Sequence, residues 1–264
     1  MERSVLFFDI DGTLLSENTG EIPDSAIRAL DAARNAGHLL FINTGRTICS
    51  VPAEIRRYPF DGYLCGCGTC IVYRDEVLFS RSIPEDRGDA IIRKIAECRL
   101  GGIAEGSEDV YFPGYITRFD KLETTRRYFL RRGMGMEHPL EKGGFIYDKL
   151  FIYVDEKSDF ESFREYLSPD MEALDRGGNA YEIVQKGYSK ATACQFILDK
   201  FGIGKENAYV FGDSSNDLSM FQFAVHTVAM GHHDAVLEPW TEFVTKAVEE
   251  DGIAYAMEHY RLNV

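Results

Sequence analysis

The sequence predicts a two-domain α/β protein, with a parallel-sheet core and a smaller α/β domain inserted into it. Short apolar runs alternate with helical patterns at both ends of the chain, and three of these runs end in polar, glycine-containing loops. The composition changes after Pro84, and the first pattern resumes near Tyr181. We therefore predict a core formed by residues 1–82 and 183–264, and an insert formed by residues 83–182.

The first 45 residues have the pattern of a βαβ unit. Val5–Phe8 is a continuous apolar run that predicts a buried strand. A helix is predicted from Pro23-Asp24-Ser25 to about Asn35, with Gly37 as its stop. Leu39–Ile42 is a second apolar run, so the two strands should be parallel and joined by a right-handed crossover.

The insert combines helical and strand-like patterns. It follows a predicted hairpin at 71–79, and paired glycines separate its segments. Its predicted helices are 86–99, 120–132 and 158–167. Its predicted strands are 109–113, 146–154 and 171–174. Because the two kinds of segment are interspersed, we expect an α/β or α+β domain with mixed strands.

The last third of the chain returns to the pattern of the core. Tyr181–Val184 and Ala208–Phe211 are predicted strands. Ser189 is placed to cap a helix over Lys190–Phe201, and Gly202 to end it. The remaining predicted elements are a strand at Val225–Met230 and a helix at about 252–261.

Polar residues follow three of the predicted core strands, at the point where each strand ends. They are Asp9-Ile10-Asp11-Gly12-Thr13, Asn43-Thr44-Gly45-Arg46 and Gly212-Asp213-Ser214-Ser215-Asn216-Asp217. Ligands of open α/β sheets bind beyond the carboxyl ends of the strands. Three such loops on one edge of a parallel sheet therefore predict a functional site.

The first motif alone has two ordinary interpretations. Aspartate and glycine are common turn residues, and D-x-D-G also opens a calcium loop. A calcium loop needs glutamate at its twelfth position, but counting from Asp9 or Asp11 gives Gly20 or Ile22. The calcium loop is excluded, and the convergence of the three loops favours a site over a turn.

The predicted convergence has a clear chemical consequence. Four carboxylates would approach one another: Asp9, Asp11, Asp213 and Asp217. Their mutual repulsion would raise their pKa values, and an all-oxygen cluster favours a hard divalent cation such as Mg²⁺. The Thr44 hydroxyl and the amides of the glycine loops could then bind phosphate. Lys190 or Lys186 could supply a positive charge.

These motifs, in this order, resemble the four motifs of the haloacid dehalogenase superfamily. The resemblance is carried by Asp9–Thr13, Thr44–Arg46, Gly187–Lys190 and Gly212–Asp217, and it extends into the tail at Val228–Gly231 and Glu250–Ala254. The insert looks like the α/β cap of the Cof-like phosphatase branch. The resemblance implies a Rossmann-like core with an inserted cap that closes over a small phosphorylated metabolite.

The resemblance also implies a role for each motif residue. Asp9 would be the nucleophile that forms an aspartyl-phosphate, Asp11 the general acid and base, and Lys190 the group that stabilises the developing charge. Phosphate or substrate contacts are implied for Gly12, Thr44, Gly45, Arg46 and Asn216. Metal ligation is implied for Asp9, the Asp11 backbone carbonyl, Asp213 and Asp217. Arg46 could instead pair with an acid in a structural role.

Composition limits the class of protein. The net charge of −14 argues against nucleic acid and anionic membranes as partners. The sequence contains no apolar run of membrane-spanning length, so we expect a cytoplasmic protein. Six cysteines in 264 residues do not form a disulfide scaffold. Cys65, Cys67 and Cys70 lack the second pair that structural zinc requires, and small buried thiols are expected.

We therefore expect an Mg²⁺-dependent phosphatase that hydrolyses small phosphorylated metabolites, such as sugar phosphates, through an aspartyl-phosphate. A phosphomutase using the same Asp9 is one alternative. A regulator that binds a phosphorylated ligand without turnover is another. The presence of an acid–base residue at position 11 argues against the regulator, and the sequence indicates no particular oligomeric state.

Overall fold

The computed structural model describes residues 3–16 and 18–263, which form two compact units. The larger unit contains the described residues up to Arg46, Val51–Ser80, and those from Tyr188 onward. The smaller unit contains Thr47–Ser50 and Arg81–Gly187. Each unit has its own sheet and its own apolar core.

The described strands and helices follow in chain order. The strands are β1 (Val5–Phe8), β2 (Leu39–Asn43), β3 (Gly62–Cys65), β4 (Cys70–Tyr73), β5 (Glu76–Ser80), β6 (Gly101–Glu105), β7 (Val110–Tyr111), β8 (Lys149–Tyr153), β9 (Met171–Asp175), β10 (Ala180–Gln185), β11 (Ala208–Gly212), β12 (His226–Ala229) and β13 (Phe243–Val244). The helices are α1 (Asp24–Asn35), α2 (Ala53–Arg56), α3 (Glu85–Glu97), α4 (Asp120–Leu130), α5 (Phe160–Leu167), α6 (Lys190–Phe201), α7 (Leu218–Phe223) and α8 (Gly252–His259). No described helix has the length and apolar character that crossing a bilayer requires.

The larger unit has an eight-stranded sheet in the order β13-β12-β11-β1-β2-β3-β4-β5. The predicted parallel core is confirmed, because β1 pairs in parallel with both β2 and β11. All four residues of β1 are buried, as expected for a strand covered on both faces. The carboxyl ends of β1, β2 and β11 therefore lie at one edge, and the three polar loops leave from it.

Helix α6 begins and ends as its sequence predicts. The Ser189 hydroxyl accepts from the Thr192 N–H, and the Thr192 hydroxyl accepts from the Ser189 N–H, which completes a capping box. Gly202 ends the helix in the left-handed region, with φ of 63°. The cap fixes Lys190 as the first residue of the helix.

The smaller unit has a five-stranded sheet in the order β7-β6-β8-β10-β9. The pairs are antiparallel, so the unit has α+β character, without the mixed strands of the sequence prediction. Strand β10 pairs with β8 and β9 in this sheet, so it belongs to the smaller unit. That unit spans Arg81–Gly187 and therefore includes residues 81–82 and 183–187, which the sequence prediction assigns to the core. The pattern of a short strand does not encode which of two sheets the strand joins.

Strand β6 is absent from the sequence prediction, which reads Gly101-Gly102 as a loop. A β-carbon at Gly101 would lie 2.5 Å from the Phe119 ring, and one at Gly102 would lie 2.9 Å from Ile95. The two glycines therefore allow α3 and the Phe119 ring to approach this strand closely. A glycine inside a strand often marks such a close contact. In a sequence, however, two adjacent glycines usually indicate a turn, which is why the prediction does not include this strand.

A buried cluster of charges links the strands of the smaller unit. The Glu182 carboxylate on β10 accepts from Lys149 on β8 and from Arg176. Burial alone would raise the pKa of Glu182, but the two cations lower it by more. The resulting pKa is about 2, compared with an ordinary 4.5. Glu105 is a second carboxylate near Lys149, at 3.8 Å.

Replacing Glu182 by glutamine should destabilise the smaller unit by about 3 kcal/mol, because Lys149 and Arg176 lose a buried counter-charge. The pKa of Glu182 is lower in the folded state, so its stabilisation is full above about pH 4.5. The stabilisation is lost as the pH falls toward 2. Hydrogen exchange of the β8 and β10 amides between pH 3 and 6 measures both effects.

The matched control is Glu161→Gln, which removes an ion pair with Arg164 that is mostly exposed. It should change the opening free energy of the same amides by no more than about 0.5 kcal/mol. Equal effects of the two substitutions, or an unchanged pH profile in Glu182→Gln, would contradict a stabilising role for the buried cluster.

Candidate active site

Three aspartates meet at the carboxyl edge of the larger sheet. Asp9 follows β1 and is 3% exposed, and its N–H donates to the Phe211 carbonyl at 3.0 Å. Asp213 and Asp217 come from the loop after β11. One carboxylate oxygen from each of the three lies within 4.8 Å of the others. The parallel pairing of β1 with β11 brings these groups together, although Asp9 and Asp213 are 204 positions apart in the chain.

Lys190 lies between two of these carboxylates. It is fully buried, and its Nζ donates to Asp9 Oδ1 and to Asp217 Oδ1, both at 2.6 Å, and to Asn216 Oδ1 at 3.3 Å. Burial opposes the charge of the ammonium group, but Asp217 and Asp9 raise the pKa of Lys190 above its ordinary value. The lysine is therefore a permanent cation beside Asp9.

The carboxylates carry more negative charge than Lys190 can neutralise. Burial, despite the opposing effect of Lys190, raises the pKa of Asp9 to about 7, with Asp217 adding to the rise. Burial and the charges of Asp9 and Asp217 raise the pKa of Asp213 to about 8. A cluster of oxygen donors whose ionised form is penalised in this way fits a hard divalent cation. The residues present thus suit a metal ion.

Asp217 organises the loop after β11. Its Oδ1 accepts from Lys190, and its Oδ2 accepts from the N–H groups of Asp213 and Ser214 at 2.9 and 3.1 Å. A β-carbon at Gly212 would lie 2.6 Å from the Asp217 carboxylate. Only glycine at position 212 therefore leaves room for this carboxylate. Both oxygens of Asp217 are occupied, which leaves Asp9 and Asp213 better placed to bind a metal directly.

The turn after β1 holds Asp213 in position. The Thr13 hydroxyl donates to Asp213 Oδ1 at 2.7 Å. Gly12 has a φ of +77°, and a β-carbon there would lie 2.6 Å from Asp213 Oδ2. Sequence reasoning did not single out Thr13 for a role, although it stands inside the Asp9–Thr13 motif. Asn43, which also stands in one of the predicted loops without an assigned role, donates from its side-chain amide to the Lys190 carbonyl at 3.0 Å.

Asp11 and Arg46 form a two-pronged ion pair. Arg46 Nε donates to Asp11 Oδ2 at 2.7 Å, and a terminal nitrogen of Arg46 donates to Asp11 Oδ1 at 2.9 Å. The Asp11 side chain is 44% exposed and does not belong to the three-aspartate cluster. The four-carboxylate cluster expected from the sequence is thus reduced to three side chains, because Arg46 holds the fourth.

The remaining predicted residues lie around the same edge. Thr44 is buried, and its hydroxyl accepts from the Arg46 N–H at 3.2 Å. Gly45 stands between them. Lys186, the alternative cation, instead donates to the Ser168 carbonyl in the smaller unit at 2.6 Å. Asp234 supports the loop after β11 by accepting from the Ser215 N–H.

The cysteines are reduced, as the composition predicts. None of the six is in a disulfide, and five are buried. Cys194 accepts from the Asn43 amide beside Lys190, and burial raises the pKa of its thiol. Cys65, Cys67 and Cys70 are small buried groups around the end of β3, in keeping with the packing interpretation.

The arrangement matches a known family of hydrolases. A profile of the haloacid dehalogenase-like hydrolases matches residues 6–257. The chain belongs to this family. It is 27% identical to YkrA of Bacillus subtilis (strain 168), a protein with a phosphatase name, and the match covers 99% of each chain.

Two further similarities involve phosphatases. The chain is 29% identical, over 98% of its length, to a protein of Streptococcus pyogenes serotype M6 that is named as a bifunctional phosphatase/peptidyl-prolyl cis-trans isomerase, and it spans 54% of that protein. The solved structure of the subclass IIB sugar phosphatase BT4131 is 28% identical, with a TM-score of 0.81, covering 98% of this chain and 99% of the other. The family and these relatives show that this haloacid dehalogenase-like hydrolase acts on phosphoric monoesters.

Replacing Gly12 by alanine should reduce phosphatase activity by about 10²-fold or more, because the added β-carbon displaces Asp213. Gly20→Ala is the matched control. Gly20 also has a positive φ, of +71°, but a β-carbon there meets nothing within 4 Å. Both variants should bear a similar backbone strain of about 1–2 kcal/mol. Phosphate release and thermal unfolding of the two variants separate the effect on Asp213 from the effect on stability.

Proposed function

We propose that this protein is an Mg²⁺-dependent phosphatase of small phosphorylated metabolites, sugar phosphates or similar monoesters, that works through an aspartyl-phosphate on Asp9. The observation that carries the proposal is the pairing of Asp9 with Lys190 at 2.6 Å, beside Asp213. A buried carboxylate kept next to a fixed cation and a metal-binding acid can attack a phosphorus atom without accumulating negative charge.

The first step transfers the phosphoryl group to the enzyme. An Asp9 oxygen forms a bond to phosphorus as the ester P–O bond breaks, and Asp11 donates a proton to the departing alcohol oxygen. In the second step a water molecule attacks the phosphorus and gives its proton to Asp11. The Asp9–phosphorus bond then breaks, which releases inorganic phosphate and restores the carboxylate. Asp11 is the nearest acid to Asp9 along the chain. Its side chain is partly exposed, which gives it access to the oxygen of the departing alcohol and to that of the attacking water.

The charge of the transferred group needs several partners. Lys190 would stabilise the negative charge on Asp9 and on the phosphoryl oxygens. Because the Thr44 hydroxyl accepts from a backbone N–H, its own proton is available to a phosphoryl oxygen. The Gly12 and Gly45 backbone and the Asn216 side chain would complete the phosphate contacts.

Mg²⁺, when bound, would neutralise charge between enzyme and phosphate. We propose Asp9, the Asp11 carbonyl and Asp213 as its ligands from this chain. Asp217, which the sequence also suggests as a ligand, would act mainly by holding Lys190 and the Asp213 backbone. The smaller unit would be the cap implied by the family resemblance.

Asp9→Asn should abolish Mg²⁺-dependent phosphate release, with a loss greater than about 10³-fold, because an amide is a poor nucleophile. The variant should stay folded, since removing one buried negative charge relieves repulsion. Asp199→Asn, at an exposed carboxylate on α6, is the control and should keep full activity. The assay compares a panel of phosphate monoesters with Mg²⁺ and with a chelator.

The same assay separates the phosphatase from its alternatives. A phosphatase releases phosphate without forming an isomer of the substrate, whereas a mutase forms the isomer. Rapid quenching should yield a phosphoenzyme that hydroxylamine cleaves, as expected for an acyl phosphate, and this species should be missing in Asp9→Asn. Wild-type rates in Asp9→Asn would remove this residue from the mechanism.

Arg46 should act by positioning Asp11. Arg46→Ala would then lower kcat by about 10²-fold, the usual contribution of a general acid–base group, with KM changed much less. Arg46→Lys keeps the charge but loses the two-pronged geometry, and should give an intermediate kcat. If Arg46 instead binds the substrate phosphate, KM will rise more than kcat falls, and that result would support the substrate-binding prediction made from the sequence.

A further inference from the structure

A cavity of about 570 Å³ lies at the opposite edge of the larger sheet from Asp9. It is lined by residues that precede β1, β2 and β3, namely Arg3, His38 and Asp61. Asp9 follows the carboxyl end of β1, so the length of that four-residue strand, about 13 Å, separates the cavity from the catalytic edge. The proposed chemistry makes no use of this cavity.

One of the residues that line the cavity, His38, carries a buried hydrogen-bond donor without an acceptor in the described part of the chain. His38 is 3% exposed, and its Nδ1 accepts from the Ser4 N–H at 3.0 Å. Burial and nearby positive charge, including that of Arg3, lower the pKa of His38, so the ring is neutral with its proton on Nε2. Nε2 is buried and has no partner in the described part of the chain. An unsatisfied buried donor costs free energy, and an acceptor in the cavity would recover it.

Four arginines line the same cavity: Arg3, Arg34, Arg56 and Arg74. Arg3 is held beside the histidine by a bond from its Nε to the Gly37 carbonyl. Arg34 and Arg74 form no ion pair with any carboxylate among residues 3–16 and 18–263. Such a concentration of positive charge is unusual in a chain of net charge −14.

The carboxylates that line the cavity do not cancel the positive charge of the four arginines. Asp61 and Asp75 also line the cavity, so four positive and two negative side chains leave a charge of +2. One oxygen of Asp61 is already used, because it accepts from the Leu40 N–H at 2.9 Å. The carboxyl end of α1 adds about half a negative charge at most. The net field still favours an anion.

We propose that this cavity is a second anion site that binds the phosphate group of a small molecule, with His38 Nε2–H as the buried donor and the arginines as its charged rim. The planar fork of arginine matches phosphate oxygens. The volume suits a small molecule. Tyr58 and Tyr63 lie in the same lining and could contact an organic group attached to the phosphate.

The test follows the ring signals of His38 by NMR during titration with inorganic phosphate at constant ionic strength. His38→Gln assigns the signals. Phosphate should shift them in a saturable way, whereas chloride should not. A product phosphate at the catalytic edge is too distant to mimic this effect, and His233, in the loop after β12, reports on that edge separately.

The decisive variant is Arg34→Gln with Arg74→Asn. Asparagine tolerates the positive φ of Arg74, 46°, and glutamine preserves the helix at Arg34. The pair should weaken phosphate binding by about tenfold or more, with the catalytic rate unchanged. The matched control is Arg28→Gln with Arg261→Asn, which removes an exposed arginine from the same helix and another with a positive φ, of 55°.

A second titration identifies the source of the phosphate group. It uses a nucleoside phosphonate, whose carbon–phosphorus bond a phosphatase cannot hydrolyse. Tighter binding than that of inorganic phosphate supports an organic phosphate as the ligand, and equal or weaker binding supports free phosphate. No saturable shift of His38 with either probe would overturn the proposal. An equal loss of affinity in the control pair would also overturn it, since only the overall charge would then matter.

Discussion

The contact between Lys190 and the two carboxylates of Asp9 and Asp217 is the constraint on which the rest of the site depends. A buried ammonium group is stable only with counter-charges, and buried carboxylates are stable only with cations. Lys190 therefore needs carboxylates beside it, and the carboxylates are stabilised by its charge. The sheet, the cap of α6 and the loop after β11 must all meet at one place for this cluster to exist.

The glycines of the site have a related function. Gly12 and Gly212 each lie against a carboxylate that a β-carbon would displace, Asp213 in one case and Asp217 in the other. The close approach of backbone to carboxylate lets Asp217 bind two N–H groups of its own loop. Rigid placement of this kind keeps a catalytic group within the small tolerance that phosphoryl transfer requires.

The two edges of the larger sheet carry opposite charges. Acidic side chains gather at the carboxyl ends of the strands, where we propose that a metal and a phosphate bind together. Arginines gather at the amino ends, around His38, where no described metal-binding cluster occurs. An acidic edge needs a cation to hold a phosphate, whereas a basic edge can hold one directly. The two proposed sites would thus bind the same kind of group, a phosphate, in two different ways on one sheet.

The sequence by itself determined the parallel core, the capped start of α6 and the three loops that bear Asp9, Thr44 and Asp213. These features depend on local patterns, namely continuous apolar runs, a serine before a helix, and glycine after a strand. The order of the motifs along the chain also sufficed to indicate the family, which the match over residues 6–257 shows.

Only the tertiary structure decided which side chains contact one another and which strands pair. It joined Arg46 to Asp11, occupied both oxygens of Asp217, and placed β10 in the sheet of the smaller unit. It also revealed β6 and the buried His38 donor, since a glycine pair and a lone histidine carry no local signal of what packs against them. Such contacts join residues far apart in the chain, and their energies depend on burial and distance, which exist only once the chain has folded.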